Sequence, residues 1–295
     1  MVRAPAKLNL HLSVGPLRPD GYHEVTTVYA AVSLFDTLTV QRAPVLRVEV
    51  RGEGAAAVPV DGTNLAARAV VLLAEQTGND PAVHLVIDKD IPVAGGCAGG
   101  SADAAAALVA CDALWGTGLS RDELSELAAR LGSDVPFSLH GGTALGRGRG
   151  EQLTPVLGRG TYAWVLGLAD GELSTPQVYA QLDRLRETGP VGVVSDPGDV
   201  LAALRSGDAV ALGHALSNDL QPAALALRPA LREVLDMGLR LGALGGLVSG
   251  SGPTVAFLAR DRGHAATLER GLSASGVCRT VRCADGPVPG ARVVG

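Results

Sequence analysis

Lysine is almost absent from this chain of 295 residues: it occurs only at Lys7 and Lys89, and every other basic residue is arginine. Where a chain so biased towards arginine keeps a lysine, a chemical role for it is indicated. Acidic side chains outnumber basic ones by 30 to 25, so the formal net charge is −5. That balance argues against binding a nucleic acid polymer, which needs a basic face. It does not exclude one nucleotide, which a few backbone amides can hold.

Aromatic residues are also scarce, at 3% of the chain, whereas hydrophobic residues make up 47%. The core must therefore use alanine, valine and leucine, which need close helix–sheet packing to fill space. The four cysteines form no CxxC pair and no zinc-finger spacing, which indicates reduced thiols in a cytoplasmic protein. We recognise no signal peptide, and no uncharged apolar run of about 18 residues predicts a membrane span.

The length predicts two domains of roughly 150 residues, and we place their boundary between residues 155 and 156. Strands and helices alternate without the regular period of a doubly wound sheet, so the predicted class is α+β. Apolar and polar residues alternate over 7–14, which predicts a half-buried strand. Further strands are predicted at 25–34 and 37–41, and a single helix is predicted at 200–215.

Capping signals predict three helix starts in the first half of the chain. Asn64 caps a helix that runs to about residue 76. Ser120 and Glu123 form a capping box at the start of another helix. Asp134 and Pro136 open a short third helix, because proline suits the first turn.

Residues 92–102, with the sequence PVAGGCAGGSA, are the segment that points most directly to a ligand. Two glycine pairs lie between a predicted strand and an alanine-rich helix predicted at 102–115. Glycine lets consecutive amides point inward, and the helix adds its N-terminal amides and dipole. The segment therefore predicts an anion-binding loop, although a flexible turn before a packed helix explains it too. It matches neither the P-loop pattern GxxxxGKS/T nor the dinucleotide pattern GxGxxG.

Together with the residues that follow it, PVAGGCAGGSADAAAAL resembles the second motif of the GHMP kinases. This superfamily includes galactokinase and the homoserine, mevalonate and phosphomevalonate kinases. Residues 4–25, APAKLNLHLSVGPLRPDGYHEV, resemble its first motif, and residues 247–257, LVSGSGPTVAF, resemble its third. The resemblance spans nearly the whole chain. It implies the two-domain GHMP kinase fold, with an N-terminal ATP-binding domain and the active site in the interdomain cleft.

Further segments resemble one branch of the superfamily, whose acceptor alcohol bears a cytidine diphosphate group. They are DGYHEV at 20–25, LGSDVPFSLHGGTALGRGRGE at 131–151, STPQVY at 174–179 and SNDLQP at 217–222. That branch serves the non-mevalonate route to isoprenoid precursors. The family loop often reads GLGGGSSDAA, and this chain departs from it at Cys97, Ala98 and Ala102. The change at Ala102 removes a hydroxyl that is available for phosphate or metal in the family.

The activity implied by this resemblance is transfer of the γ-phosphate of ATP, with Mg²⁺, to the 2-hydroxyl of the methylerythritol part of the acceptor. Asp134 is the candidate general base, and Lys7 is its candidate partner, which would polarise the attacking oxygen. From the pattern alone, Asp134 is an ordinary N-cap and Lys7 a solvated lysine on a strand. Ser101 is a candidate magnesium ligand that also suits helix capping.

The binding residues are carried over from the same resemblance. Tyr22 and His23 are the candidate cytidine contacts, which the turn at Asp20 and Gly21 is expected to present as an exposed pair. Asn9, Thr175 and Asp219 are further acceptor candidates. The candidates for the nucleotide are Asn64, Pro92, Val93, Ala94, Gly95, Gly96, Cys97, Ala98, Gly99, Gly100, Ser101 and Ala102.

Three alternatives remain open from the sequence. A GHMP kinase with another acceptor alcohol would have no use for the stacking pair in DGYHEV. A nucleotide-binding protein that has lost catalysis would not need both Lys7 and Asp134. A dinucleotide-dependent oxidoreductase is suggested only by the glycine content, and the missing GxGxxG argues against it.

Overall fold

The computed structural model describes residues 1–93, 95–189, 191 and 196–294 of the chain. Within them, the chain forms two β-sheets with helices packed against both. The larger sheet has eight strands: β1 (Val2–Leu17), β2 (His23–Arg42), β3 (Arg47–Gly52), β4 (Val83–Lys89), β5 (Thr143–Arg147), β6 (Gln152–Pro155), β8 (Ser217–Asn218) and β12 (Arg292–Val293).

The smaller sheet consists of four antiparallel strands from the second half of the chain. Their order in the sheet is β11 (Thr280–Gly286), β7 (Tyr162–Leu168), β10 (Thr254–Ala259) and β9 (Gly245–Val248). The mixture of sheets and helices confirms the α+β class. In the larger sheet, β8 and β12 both pair with β1, although they come from the second half of the chain. The two halves are therefore joined by strand pairing, and the boundary at 155 and 156 stays a prediction.

Ten α-helices lie in the described residues, and they divide between the two sheets. The core of the larger sheet includes residues of the first three, and the core of the smaller sheet includes residues of the fifth, eighth, ninth and tenth. The helices are α1 (Leu65–Thr77), α2 (Gly99–Trp115), α3 (Arg121–Leu131), α4 (Val135–His140), α5 (Thr175–Thr188), α6 (Gly198–Ser206), α7 (Ala209–Ala215), α8 (Gln221–Leu227), α9 (Ala230–Arg240) and α10 (Arg262–Ser275). A 3₁₀ turn spans Ala55–Ala57.

Helix α2 packs in the core of the larger sheet, and its alanines are buried on nearly every face. Small side chains let a helix approach a sheet and a second helix at the same time, and α2 contacts β1, β2 and α1. The helix begins at Gly99, three residues earlier than predicted, so the end of the glycine-rich segment forms its first turn.

Strand β1 differs from its prediction, because it is buried on both faces. Leu8 and Leu10 pack in the core of the larger sheet, but the alternate residues Asn9, His11 and Ser13 are buried as well. The second half of the chain covers this polar face, where the His11 Nδ1 lies 2.8 Å from the Ser217 hydroxyl. The period-2 pattern located the strand correctly, but the expected exposure of one face was wrong.

The capping predictions are confirmed for α1 and α3. Asn64 accepts hydrogen bonds from the amides of Ala66 and Ala67, and Ser120 and Glu123 form the capping box. Asp134 occupies the N-cap position of α4, as predicted. No described helix is long and apolar enough to cross a membrane.

Two element boundaries were predicted wrongly. The strands expected at 25–34 and 37–41 are one continuous strand, β2. The single helix expected at 200–215 is divided into α6 and α7 at Gly207, whose φ of +76° ends α6. The Asp208 carboxylate then caps α7 by accepting from the amides of Val210 and Ala211.

Candidate active site

A cleft with a cavity of about 950 Å³ is lined by residues from both halves of the chain. The first half contributes β1, β2, the start of α1, the residues before α4 and the loop of residues 92–102, which we call the phosphate loop. The second half contributes the N-terminal part of α5 and residues 250–252. We call residues 249–252 the second glycine loop.

The phosphate loop leads directly into α2, so the first amides of that helix lie at the wall of the cleft. The initial amides of a helix lack intrahelical acceptors and carry the positive end of its dipole, which favours an anion. Cleft-lining residues of the loop are Pro92, Val93, Gly95, Gly96, Ala98, Gly99, Gly100 and Ser101. Cys97 and Ala102 are buried and do not line the cleft. Ala94 lies outside the described residues.

The second glycine loop and the strand that follows it hold the phosphate loop by hydrogen bonds. The Ser249 hydroxyl donates to the Gly96 carbonyl at 3.1 Å, and the Thr254 amide donates to the Gly95 carbonyl at 3.3 Å. Gly96 has a φ of +73°, and a Cβ there would collide with the Ser249 carbonyl. A glycine is therefore required at this close approach. The loop shape depends on backbone contacts, which the change to Cys97 leaves possible.

Lys7 and Asp134 meet in the cleft although 127 positions of the sequence separate them. The Lys7 Nζ lies 3.5 Å from the Asp134 Oδ2 and donates to the Asn9 Oδ1 at 2.7 Å. Only 7% of the Lys7 side chain is exposed, against 31% of Asp134. Lys7 is thus a buried, partnered ammonium. Asp134 stands at an N-cap position without using its carboxylate as a cap, so capping does not account for it.

Tyr29 completes this cluster, although it was not among the site residues predicted from the sequence. Its hydroxyl donates to the Asp134 Oδ1 at 3.1 Å, its ring lies 5.3 Å from the Lys7 Nζ, and it stacks on Phe137. Burial, followed by the nearby Asp134 carboxylate, raises the pKa of Tyr29 well above its ordinary value, so the hydroxyl stays a donor. A tyrosine inside an apolar strand was the available signal.

The second lysine is also buried and paired, which the sequence analysis did not predict. The Lys89 Nζ contacts the carboxylates of Asp36 and Asp103, the latter at 2.6 Å. Burial lowers the pKa of Lys89, but Asp103 and Asp36 raise it by more, so the net shift is upward. Burial also raises the pKa of Asp103, to about 7, against the opposing effect of Lys89. Asp103 lies in the second turn of α2 and therefore anchors the helix below the phosphate loop.

Tyr22 and His23, which also line the cleft, differ in exposure. Tyr22 is 53% exposed, whereas His23 is 6% exposed, so the expectation of an exposed pair was wrong for His23. Helix α5 covers the imidazole: the His23 Nε2 lies 3.3 Å from the Asp183 carboxylate, and its ring lies 5.2 Å from the Tyr179 ring. The His23 Nδ1 lies 2.9 Å from the Gly15 carbonyl and donates to it, since a carbonyl can only accept.

The remaining candidates have partners within the protein. Asn9 donates to the Thr27 hydroxyl at 2.8 Å, and the Thr175 hydroxyl lies 2.8 Å from that of Ser251; both residues line the cleft. Asn64 also lines the cleft while capping α1. Asp219 does not line it: its carboxylate accepts from the Val14 amide at 2.9 Å, so the structure gives it a contact that supports β1.

A cluster of ligands for a metal ion is not preformed: the described residues contain no group of three histidine, cysteine or acidic side chains arranged to hold one. Mg²⁺ in phosphotransferases often keeps several waters and binds through one or two protein groups and the substrate phosphates. The Ser101 hydroxyl, at the start of α2 and on the cleft wall, suits a metal ion that arrives with a nucleotide.

The cleft thus brings together a helix N-terminus, which favours an anion, and a lysine–aspartate pair, and this combination suits a small-molecule kinase. The comparisons with known proteins agree. Residues 64–142 match the GHMP kinases N terminal domain, and residues 200–278 match the GHMP kinases C terminal domain. The chain belongs to the GHMP kinase family.

Two relatives in this family that are more than half identical to the chain share one name. The chain is 60% identical over 294 residues to the 4-diphosphocytidyl-2-C-methyl-D-erythritol kinase of Nocardia farcinica, covering 100% of this chain and 96% of that protein. The enzyme of the same name from Rhodococcus jostii is 58% identical over 294 residues, covering 100% of this chain and 94% of that protein. A crystal structure of a 4-(cytidine 5'-diphospho)-2C-methyl-D-erythritol kinase superposes with a TM-score of 0.78 at 35% identity, covering 97% of this chain and 98% of that one.

Proposed function

We propose that this protein transfers the γ-phosphate of ATP to the 2-hydroxyl of 4-diphosphocytidyl-2-C-methyl-D-erythritol, giving the 2-phosphate and ADP in non-mevalonate isoprenoid precursor biosynthesis. Full-length similarity to relatives of that name supports the substrate. The observation that carries the chemistry is the Lys7–Asp134 pair, held in one cleft with the phosphate loop.

In this scheme Asp134 takes the proton of the attacking hydroxyl. Its Oδ1 accepts from the Tyr29 hydroxyl, whereas its Oδ2 has, among the described residues, the more distant Lys7 ammonium as its neighbour and is left to accept a proton. Lys7 stabilises the negative charge that develops on the acceptor oxygen. Asn9 and Tyr29 hold these two groups in place, so little reorganisation is needed during transfer.

The polyphosphate of ATP binds at the phosphate loop and the start of α2, in the domain that we assign to residues 1–155. Asn64, beside the same part of the cleft wall, is the candidate contact for the nucleoside. Ser101 is the protein group that would hold Mg²⁺. When bound, that ion neutralises charge on the phosphates.

The acceptor binds where the second half of the chain, residues 156–295 in our division, closes the cleft. Tyr22 offers an exposed aromatic face for the cytosine, and His23 is held rigidly beside it by α5. Thr175 is a further candidate from α5. The four cysteines are free thiols, which supports a reducing compartment such as the cytoplasm.

The substrate assignment is tested by measuring ADP release with ATP and a panel of alcohols. We expect turnover with 4-diphosphocytidyl-2-C-methyl-D-erythritol and little with mevalonate or homoserine, which lack a base to stack on Tyr22. Equal turnover of mevalonate would refute the assignment while leaving a small-molecule kinase.

The base is tested with Asp134→Asn, which keeps the shape of the side chain and the hydrogen bond from Tyr29. Loss of a general base lowers kcat by about 10²- to 10⁴-fold, while the affinity for ATP, measured by calorimetry, should remain. Asp236→Asn on the exposed side of α9 is the matched control and should behave like the wild type. An unchanged kcat for Asp134→Asn would remove the base from the mechanism.

A further inference from the structure

Arg149 lies on the wall of the cleft, in the tight turn between β5 and β6. The carbon of its guanidinium is 4.9 Å from the centre of the Tyr22 ring, so the two groups stack. One face of Tyr22 is thereby covered by a planar cation, and the opposite face is left for a base.

The turn that carries Arg149 is held in a single shape. Gly148 and Gly150 have φ values of +72° and +105°, which only glycine adopts easily. The Val25 amide donates to the Gly148 carbonyl at 2.7 Å, and the Gly148 amide donates to the Glu24 carboxylate at 3.1 Å. A Cβ at Gly150 would collide with the Tyr29 hydroxyl. The backbone that carries Arg149 is therefore fixed in position at the wall of the cleft.

The charge of Arg149 is not neutralised by a partner in the described part of the chain, unlike that of the two lysines in the cleft. Lys7 pairs with Asp134, and Lys89 pairs with two carboxylates. No carboxylate of the described residues lies within ion-pair distance of the Arg149 guanidinium. The Asp20 carboxylate has a weak electrostatic interaction with the Arg149 guanidinium, but it forms its ion pair with Arg18, at 2.5 Å.

We propose that Arg149 binds the diphosphate of the acceptor substrate; this inference rests on the function proposed above. Contacts run in sequence from Tyr22 to Arg149, through the adjoining Gly150 to Tyr29, and from Tyr29 to Asp134. The substrate has the same order of parts: a base, a diphosphate and the alcohol that is phosphorylated. A guanidinium binds phosphate oxygens through two parallel N–H groups, which suits it to the middle position.

The inference is tested by comparing cytidine 5'-diphosphate with cytidine, which lacks the diphosphate. Calorimetry on the wild type and on Arg149→Gln gives four dissociation constants. We expect the variant to lose about 10- to 100-fold in affinity for the diphosphate, the range for a lost hydrogen bond to a charged group. Affinity for cytidine should change by less than about threefold, because the Tyr22 ring remains. Arg149→Lys should recover part of the loss, since it keeps the charge without the fork.

Turnover gives a second readout, in which Arg149→Gln raises the KM for the acceptor more than it lowers kcat and leaves the KM for ATP unchanged. Arg147→Gln is the matched control, because Arg147 is an exposed arginine of the same turn that does not line the cleft. Circular dichroism melting should show both variants folded.

An equal loss of cytidine and cytidine 5'-diphosphate would overturn the inference, because Arg149 would then act only by supporting Tyr22. A rise in the KM for ATP alone would overturn it as well, by assigning the guanidinium to the nucleotide. If the wild type neither binds cytidine compounds nor turns over the proposed acceptor, the proposed function falls together with this inference. If the wild type turns over the acceptor but Arg149→Gln binds the ligands with unchanged affinity, only the role of Arg149 is rejected.

Discussion

Replacing Lys89 with methionine is the substitution that we expect to affect stability most. Methionine keeps much of the length of the side chain but leaves the carboxylates of Asp36 and Asp103 facing each other without a cation. Both are almost completely buried. Removing one partner from a buried charged group costs about 3–5 kcal/mol, because the remaining charge is desolvated without compensation.

The structure indicates which carboxylate bears that cost. The Asp36 Oδ1 also accepts from the amides of Asp90 and Ile91, at 2.8 and 2.9 Å, so Asp36 keeps two donors in the variant. The Asp103 Oδ2 accepts from Lys89, and its Oδ1 is buried without a hydrogen-bond partner among the described residues. Asp103 is therefore the group left without a donor.

Urea unfolding of the single and double variants tests this reasoning. Lys89→Met should lose about 3–5 kcal/mol, and adding Asp103→Asn should recover about 2 kcal/mol, because it removes the unpaired charge at nearly constant volume. Adding Asp36→Asn is the matched control and should recover less, since the Asp36 carboxylate keeps its two backbone amide donors and is therefore less costly to bury than that of Asp103. A cost below about 1 kcal/mol for Lys89→Met, as for an exposed pair, would refute the argument. So would equal recovery by the two asparagines.

A pH series gives an independent check through the single variant Asp103→Asn. The pKa of Asp103 is raised to about 7 in the folded protein, against an ordinary value of 3.8. Between these values the unfolded chain has lost a proton that the folded protein retains, so the free energy of unfolding falls as pH rises. The variant lacks this effect and should gain on the wild type from about pH 4 to about pH 7, at up to about 1.4 kcal/mol per pH unit. Parallel curves for the two proteins would contradict the raised pKa.

Two further predictions concern the active site. Ala98 has a φ of +59°, and this left-handed conformation costs alanine about 1–2 kcal/mol. Glycine lacks that cost but gives the unfolded chain more freedom, so Ala98→Gly should raise the free energy of unfolding by a net amount of about 0.5 kcal/mol. The control Ala102→Gly, inside α2, should lower it by about 1 kcal/mol in the same urea titration, and a destabilised Ala98→Gly would show that the loop is unstrained. Tyr29→Phe should lower kcat about tenfold, because the Asp134 carboxylate loses a hydrogen bond. Its melting temperature should change little, because the stacking on Phe137 remains, and an unaltered kcat would show that Tyr29 does not hold the base.

Local features of the fold were predictable from the sequence. The caps at Asn64 and at Ser120 with Glu123 depend on side chains within three residues of the amides that they bind. The glycine-rich segment likewise indicated a helix N-terminus facing an anion, and the structure has its amides at the cleft wall. The division of the helix at Gly207 was missed because alanine and leucine continue on both sides, although the glycine and the following aspartate were the signal.

Contacts between distant parts of the chain were not predictable in this way. The period-2 pattern of β1 cannot show that the second half of the chain covers its polar face, because the pattern contains no information about distant segments. The burial of His23 depends on Asp183 and Tyr179, which lie about half the chain away. Tyr29 was missed, and the partners of Lys89 were not predicted, for the same reason, since only the fold brings these residues together with their partners.

The presence of lysine at these two positions, in a chain that otherwise uses arginine, has a physical explanation. Lys7 reaches a carboxylate and an amide oxygen, and Lys89 reaches two carboxylates, each within a buried space. An ammonium is a compact charge whose three donors can turn towards separate acceptors, whereas a guanidinium is planar and wider and presents its donors as a fixed fork. Arginine is therefore unsuited to these two sites but well suited to the flat ring of Tyr22 and to a diphosphate, where the chain has Arg149. We accordingly expect Lys7→Arg and Lys89→Arg to fail to replace lysine although they preserve the charge.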